Sequence, residues 1–268
     1  MITDEPPYIE KCNLNRDKKI VCADPNYSDL IYCGSRNETG ELETFRYTQG
    51  QRRLEMRSAK YNHIIDSINK STIIDKRSVK EMETHLSQWS SKTVDWDKFS
   101  EYLKEKNALN YILQPHYEQR LFRKLRLNRF INRQKSETKM LKNFSNKFGT
   151  PEETIYVMGD YDKGGHHMKG LEPVICKKFR RLFRVAGYET YLINEFRTSK
   201  LCNGCHNELE PFLEKRGKIC NGLLRCQSVK PECKVIHNRD KNAIQNMLTI
   251  VKSVIETGKR PSIFCRSA

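Results

Sequence analysis

Cysteines and carboxylates carry the chemistry this chain could do. Cys202 and Cys205 form a Cys-x2-Cys pair, and Cys226 and Cys233 follow downstream. Zinc takes four soft or borderline ligands in a tetrahedron, and a Cys-x2-Cys turn supplies two thiolates from one knuckle. The second pair is spaced more widely than the first, within "RCQSVKPEC". The pattern predicts a structural four-cysteine zinc site, with His206, Cys220 and His237 as possible substitutes. Four protein ligands leave no open position, so no catalysis is expected from that ion.

The carboxylates suggest a second centre. Asp24 ends the apolar, β-prone run Ile20–Ala23. Asp160 ends the strand-like "IYVMGD", Glu195 follows "YLIN", and Asp240 opens the last helical segment. Side chains at the ends of strands in an open sheet converge on one edge. Three carboxylates there can hold two Mg2+ or Mn2+ ions about 4 Å apart, the arrangement used for in-line phosphodiester cleavage. Oxygen donors suit those hard ions rather than zinc. Each acid alone also has an ordinary reading. Asp24 precedes a proline and suits a turn, Asp240 complements a helix dipole, and Glu195 could pair with Arg197.

Composition narrows the partners. Lys and Arg number 49 against 33 Asp and Glu, a formal net charge of +16. Such an excess points to a polyanion, nucleic acid before an anionic membrane. No apolar run approaches the ~20 residues that span a bilayer, so no membrane partner is expected. The N-terminus lacks an apolar secretory core, which predicts a reducing compartment and leaves Cys12, Cys22, Cys33, Cys176 and Cys265 as ordinary thiols.

Periodicity supplies the elements that must position these groups. Ile20–Ala23, Leu30–Cys33 and Glu43–Tyr47 read as an antiparallel meander around an Asp-Pro-Asn turn. Between Gly50 and Gly149 there is no glycine and one proline, Pro115. Apolar residues there recur at helical spacing, as at Ile64, Ile65 and Ile68, then Leu121, Phe122, Leu125 and Leu127, so helices broken near Ser90 and Pro115 are expected. From Gln119 to Phe148 ten residues are Lys or Arg and one is acidic. Arg120, Arg123, Lys124, Arg126, Arg129 and Arg133 are the candidate phosphate contacts on this stretch, which also reads as an ordinary core-packing helix with a solvated face. Residues 153–160 form a buried strand, 159–167 a flexible loop, 171–186 an amphipathic helix and 188–194 a further strand. This order implies a right-handed crossover and a parallel pair. Residues 200–236 read as cysteine-rich loops, and 239–257 as a final helix stopped by Gly258.

The expected fold is therefore α/β, a ribonuclease H-like mixed sheet with a helical insertion and a zinc-ribbon insertion. Its segments are 1–49, the basic helical 50–148, 149–199, the zinc ribbon 200–236, and 237–268.

"TSKLCNGC", "LLRCQSVKPEC" and "NRDKNAIQNM" together resemble the C-terminal signature of transposon-encoded RNA-guided nucleases, the TnpB type and its eukaryotic relatives, the Fanzor proteins. The resemblance covers roughly residues 18–258, the nuclease half of such a protein. It implies a RuvC-like domain that cleaves DNA with Mg2+, a guide RNA as partner, and nuclear residence if the source is eukaryotic, otherwise cytoplasmic. Prokaryotic members carry a catalytic Glu where this chain has Gly159-Asp160; Fanzor members carry it just before the Thr-Ser turn, the place of Glu195. The resemblance thus implies a metal-binding triad of Asp24, Glu195 and Asp240, with Asp160 in reserve. Two other classes compete. One is a non-catalytic, zinc-containing nucleic-acid-binding remnant. The other is an integrase built on the same fold, which a zinc ribbon just before the last acid argues against.

Overall fold

The structure, a computed structural model, describes residues 5–12, 14–15, 17–26, 28–161, 175–213, 217, 219–228, 233 and 236–266. In chain order it begins with strands β1 (Lys19–Asp24), β2 (Asp29–Arg36) and β3 (Leu42–Thr48). Helices α1 (Gln49–Glu55) and α2 (Ser58–Ser71) follow, then the two-residue strands β4 (Ile73–Ile74) and β5 (Arg77–Ser78). Next come α3 (Val79–Leu86), α4 (Trp96–Tyr117), α5 (Arg120–Phe148), β6 (Thr154–Gly159), α6 (Cys176–Val185) and β7 (Glu189–Ile193). Strands β8 (Leu209–Leu213), β9 (Ile219–Cys226) and β10 (Ile236–Asn238) lead to α7 (Arg239–Thr257). The chain divides into two compact units, Met1–Gln49 with Lys139–Ala268, and Gly50–Thr138.

The first unit is built on a five-stranded sheet in the order β3-β2-β1-β6-β7. β1, β2 and β3 are antiparallel neighbours, whereas β6 runs parallel to β1 and β7 parallel to β6. This is the mixed, ribonuclease H-like sheet. The period-2 alternation of strands sorts side chains to two faces. Val21 and Ala23 of β1 and Tyr156 and Met158 of β6 join one core, with Phe144 and Phe148 of α5 and Phe179 and Phe183 of α6. Cys22, Ile155 and Val157 join the other, beneath Ile244, Met247, Ile250 and Val251 of α7. Gly34 lets α7 approach closely, because a Cβ there would lie 2.7 Å from the Ile244 methyl. Asp24 and Gly159 continue the alternation that faces α7, so the end of β1, the end of β6 and the start of α7 meet on one side of the sheet.

The small sheet, ordered β10-β9-β8, corrects the expectation that residues 200–236 are loops. Its strands are mostly half-exposed, so they lack the buried alternation that makes a strand legible. The expected helix 171–186 is Cys176–Val185, flanked by Ile175 and Ala186; residues 171–174, and most of the expected loop 159–167, lie outside the described residues.

In the second unit, Val79, Met82 and Leu113 form a small core with Ile74, Leu109 and Tyr117. Ser78 and Glu81 close a capping box on α3. Pro115 does not break its helix; it sits inside the last turn of α4, and the break falls after Tyr117. A proline so near the C-terminus removes one backbone bond, while buried Leu113 and His116 still anchor that turn. Leu54, Leu121 and Leu127 are exposed, whereas Phe122 and Leu125 are buried.

Phe144 meets Phe45, Tyr156, Phe183 and Tyr188 edge-on. Phe144→Ala should therefore destabilise the sheet unit by about 3–5 kcal/mol, the usual range for emptying such a site. Denaturant unfolding checks this; a loss below about 1 kcal/mol contradicts the packing described.

Candidate functional site

The first unit brings four carboxylates to the C-terminal edge of its parallel strands. Asp24 is the last residue of β1, Asp160 directly follows β6, Glu195 lies just past β7, and Asp240 is in the first turn of α7. Ile193 O accepts a bond from Asp160 N at 3.0 Å, which extends the β6–β7 ladder by one rung. Glu195 N then donates to Asp160 Oδ1 at 3.4 Å.

Gly159 makes room for the Glu195 side chain. A Cβ built on Gly159 would collide with Glu195 Oε1, so the Glu195 carboxyl fills the space a side chain at 159 would occupy. Glu195 Oε1 is buried and has no hydrogen-bond partner among the described residues. An orphaned buried carboxylate oxygen calls for an explanation, and a cation is one. The Glu195–Arg197 pairing is not formed; Arg197 binds Glu208 at 2.8 Å instead.

Burial dominates the electrostatics, and neighbouring like charge adds to it. Burial pushes the Asp24 carboxyl up to about 7, with Asp240 adding to the rise and Arg239 opposing it. Burial, then Asp24 and Asp160, push Glu195 up to about 8, against the Tyr161 backbone and Arg180. Burial and Asp29 raise Asp240, while Arg239, Asn26 and Arg46 hold it back. Hard, oxygen-only donors whose protonated forms are favoured by burial, then by mutual repulsion, suit a divalent cation.

Several contributors lie beyond the sequence reading. Asn26 Nδ2 donates to Asp240 Oδ1 at 2.7 Å, tying the turn after β1 to the start of α7. Tyr8 donates its hydroxyl to Asp160 Oδ2 at 3.1 Å. Arg180 is 2% exposed and donates to Gly159 O at 3.1 Å and to Glu5 at 2.7 Å. A signal for Arg180 existed: it stands in the buried stripe Cys176, Phe179, Phe183, where an ion is out of place unless paired. No comparable signal marks Tyr8 or Asn26, whose partners are more than 150 residues away.

The four cysteines also converge. The sulfurs of Cys202, Cys205, Cys226 and Cys233 lie within 4.8 Å of one another. Cys202–Cys233 and Cys205–Cys226 are 3.4 Å apart and Cys226–Cys233 3.8 Å. A tetrahedral zinc with bonds of about 2.3 Å needs sulfurs about 3.8 Å apart, so this set could hold such an ion. His237 Nε2 sits 3.4 Å from Cys202 Sγ, the position of a ring that orients a ligand rather than replaces one.

Of the six basic candidates on α5, Arg120, Arg123, Lys124 and Arg126 are exposed. Arg129 and Arg133 are half-buried; Arg129 donates to Asn62 at 2.9 Å and Arg133 lies over the Phe130 ring. Exposed Leu127 and Phe130 interleave with the free cations. Among the described residues no helix is long and apolar enough to cross a membrane.

The fold and these clusters define a ribonuclease H-like α/β unit with an acidic edge and a four-cysteine clip. Residues 178–247, which include Glu195, all four cysteines and Asp240, match the family model of the Cas12f1-like TNB domain. No curated protein matches the chain. Among solved structures, it is similar to a chain of the cryo-EM structure of the Cas12f1–sgRNA–target DNA complex, at 12% identity and a TM-score of 0.40. That similarity covers 88% of this chain and 50% of the other, so this chain spans about half the length of that relative.

The raised carboxyls set a pH dependence. Ordinary values are 3.8 for Asp24 and 4.5 for Glu195, and the folded values are about 7 and about 8. Between those limits the folded state binds more protons than the unfolded one. Stability from these groups is therefore full below about 4 and lost as pH rises through 7 to 8. Without added Mg2+, the Tm should fall across this window, and Asp24→Asn should flatten the fall. Calorimetry at fixed ionic strength decides it; a Tm that rises from pH 5 to pH 8 contradicts the arrangement. Gly159→Ala should evict the Glu195 carboxyl and weaken Mn2+ binding at least about tenfold, about 1.4 kcal/mol, read by electron paramagnetic resonance.

Proposed function

We propose that this chain is the RuvC-like nuclease part of an RNA-guided DNA endonuclease of the TnpB and Cas12f type, with its middle glutamate placed as in the Fanzor proteins. The observation that carries this reading is the Glu195 carboxyl, buried in the space above Gly159 and on the same edge as Asp24 and Asp240. A strand-end glutamate is replaced there by one arriving from the next strand. The Cas12f1-like match over residues 178–247 supports the same family.

In this reading Asp24, Glu195 and Asp240 hold Mg2+ or Mn2+, with Asp160 beside them. Bound there, such ions would supply a nucleophilic water and charge stabilisation for phosphodiester hydrolysis. The chain's own groups do the rest. Asn26 fixes the Asp240 carboxylate, Asp160 holds the backbone of Glu195, and Arg180 offsets the charge gathered at the edge. The cysteine clip, filled by zinc, is structural. The exposed cations of α5 take phosphates of DNA or of a guide RNA.

Asp24→Ala and Asp240→Ala should each lower Mg2+-dependent nicking of single-stranded DNA about a thousandfold or more, the loss of several kcal/mol of transition-state stabilisation. DNA affinity should persist. Cleavage by both variants at the wild-type rate refutes the assignment. Replacing Arg120, Arg123, Lys124 and Arg126 together by alanine should reduce the slope of log affinity against log salt by about 3, at ~0.7 per single-strand phosphate contact. An unchanged slope removes α5 from the interface.

A further inference from the structure

Two asparagines of α7 belong to neither metal cluster, yet they are almost fully buried, Asn242 at 1% and Asn246 at 0% exposure. They stand four residues apart, so their side chains share one face of the helix. Both amides converge on the same two backbone carbonyls. Asn246 Nδ2 donates to Thr198 O at 2.7 Å and to Leu201 O at 2.8 Å. Asn242 Nδ2 donates to Leu201 O at 2.8 Å and to Thr198 O at 3.3 Å. Asn242 Oδ1 accepts from Asn203 N at 2.9 Å, inside the Cys-x2-Cys knuckle.

The turn held this way joins the two clusters. At its start, Thr198 donates to Glu195 O from its backbone N at 3.1 Å and from its hydroxyl at 2.9 Å. At its end, Leu201 precedes Cys202, whose N donates to Asn207 O at 2.8 Å. On the helix side, Asp240 lies two residues before Asn242. Simple packing does not need this chemistry. Asn246 Oδ1 is buried without a partner among the described residues, an omission that typically costs about 1–3 kcal/mol and that a leucine would avoid.

We infer that Asn242 and Asn246 are positioning residues: their amides fasten the Thr198–Leu201 turn to α7 and so fix Glu195 at one end, and the cysteine clip at the other, against the helix that begins at Asp240. The functional meaning of this coupling rests on the acid-site reading above. The coupling itself is a property of the fold and is measurable without cleavage. Because each carbonyl has two donors, loss of one asparagine is partly covered by the other, and loss of both is more than additive.

The test is amide hydrogen exchange on the full chain, zinc-loaded, for wild type, Asn246→Leu and the Asn242→Leu/Asn246→Leu pair. In wild type, chelating the clip metal should speed exchange of Glu195–Leu201 about tenfold or more, as for a local opening. In the pair, that segment should exchange fast even with metal in place, while the thiolate-to-cobalt absorption of the Co2+-substituted clip is retained. Asn246→Leu should fall between, and it carries the test if the pair does not fold, with slow exchange in the middle of α7 as the check on folding. Wild-type protection of Glu195–Leu201 in either folded variant overturns the inference, as does wild-type protection that is indifferent to metal removal. Mn2+ titration of wild type and Asp240→Ala separates the two readings. If wild type binds no Mn2+ that Asp240→Ala abolishes, the acid-site reading fails while the exchange data still decide the coupling.

Discussion

Burial of mutually repelling carboxylates at one sheet edge is the constraint that organises this molecule. Asp24, Glu195 and Asp240 are brought within electrostatic reach by β1, the end of β7 and α7, and two of them are pushed toward neutrality at physiological pH. A fold does not gather such groups cheaply, since each adds desolvation and like-charge terms. The surrounding structure answers with specific devices. Asn26 donates to Asp240, Arg180 lies buried beside Gly159, and the backbone of Glu195 leans on Asp160. Clusters of this kind are where function is expected.

Much of the scaffold is legible from periodicity alone. Strands β1, β2, β6 and β7 coincide with the apolar runs, because each is buried on at least one face; in β3, at the rim of the sheet, only Tyr47 is buried. Helix α7 spans Arg239–Thr257, as its cap residues require: Asn238 accepts from Lys241 N at its start and Gly258 adopts φ 68° at its end. The less legible parts have physical reasons. The small sheet is half-exposed, the β4–β5 hairpin is only four residues of strand, and Pro115 is tolerated because it falls in a final turn. At the candidate site, residue type and spacing mark the acids and cysteines. Their supports are invisible in a linear reading because contact pairs such as Tyr8–Asp160 and Asn26–Asp240 are made only by the folded sheet.

Charge is distributed by role. Two cations of the first unit near the acids, Arg180 and Arg46, are committed: Arg180 to Glu5 and Gly159 O, Arg46 in a bidentate pair to Asp29. In the second unit α5 leaves Arg120, Arg123, Lys124 and Arg126 exposed, beside uncovered apolar side chains. Fixed cations tune a buried site, whereas free ones release counterions when a polyanion arrives. The same residue types thus serve two ends, set by whether an acid or a carbonyl holds them.

The residues ahead of β1 have a consequence of another kind. β7 lies at the rim of the sheet, and its outer side is met by the N-terminal segment. Leu192 N donates to Pro7 O at 2.9 Å, and Tyr8 pairs with Leu192 as a parallel bridge. An unpaired rim strand is a template for joining another chain, the usual start of edge-to-edge aggregation. Here the covering segment carries Pro6 and Pro7, which have no N–H to offer a further strand. The sheet therefore closes its own growing end, and the side that carries Glu195 is kept from extending into a neighbouring molecule.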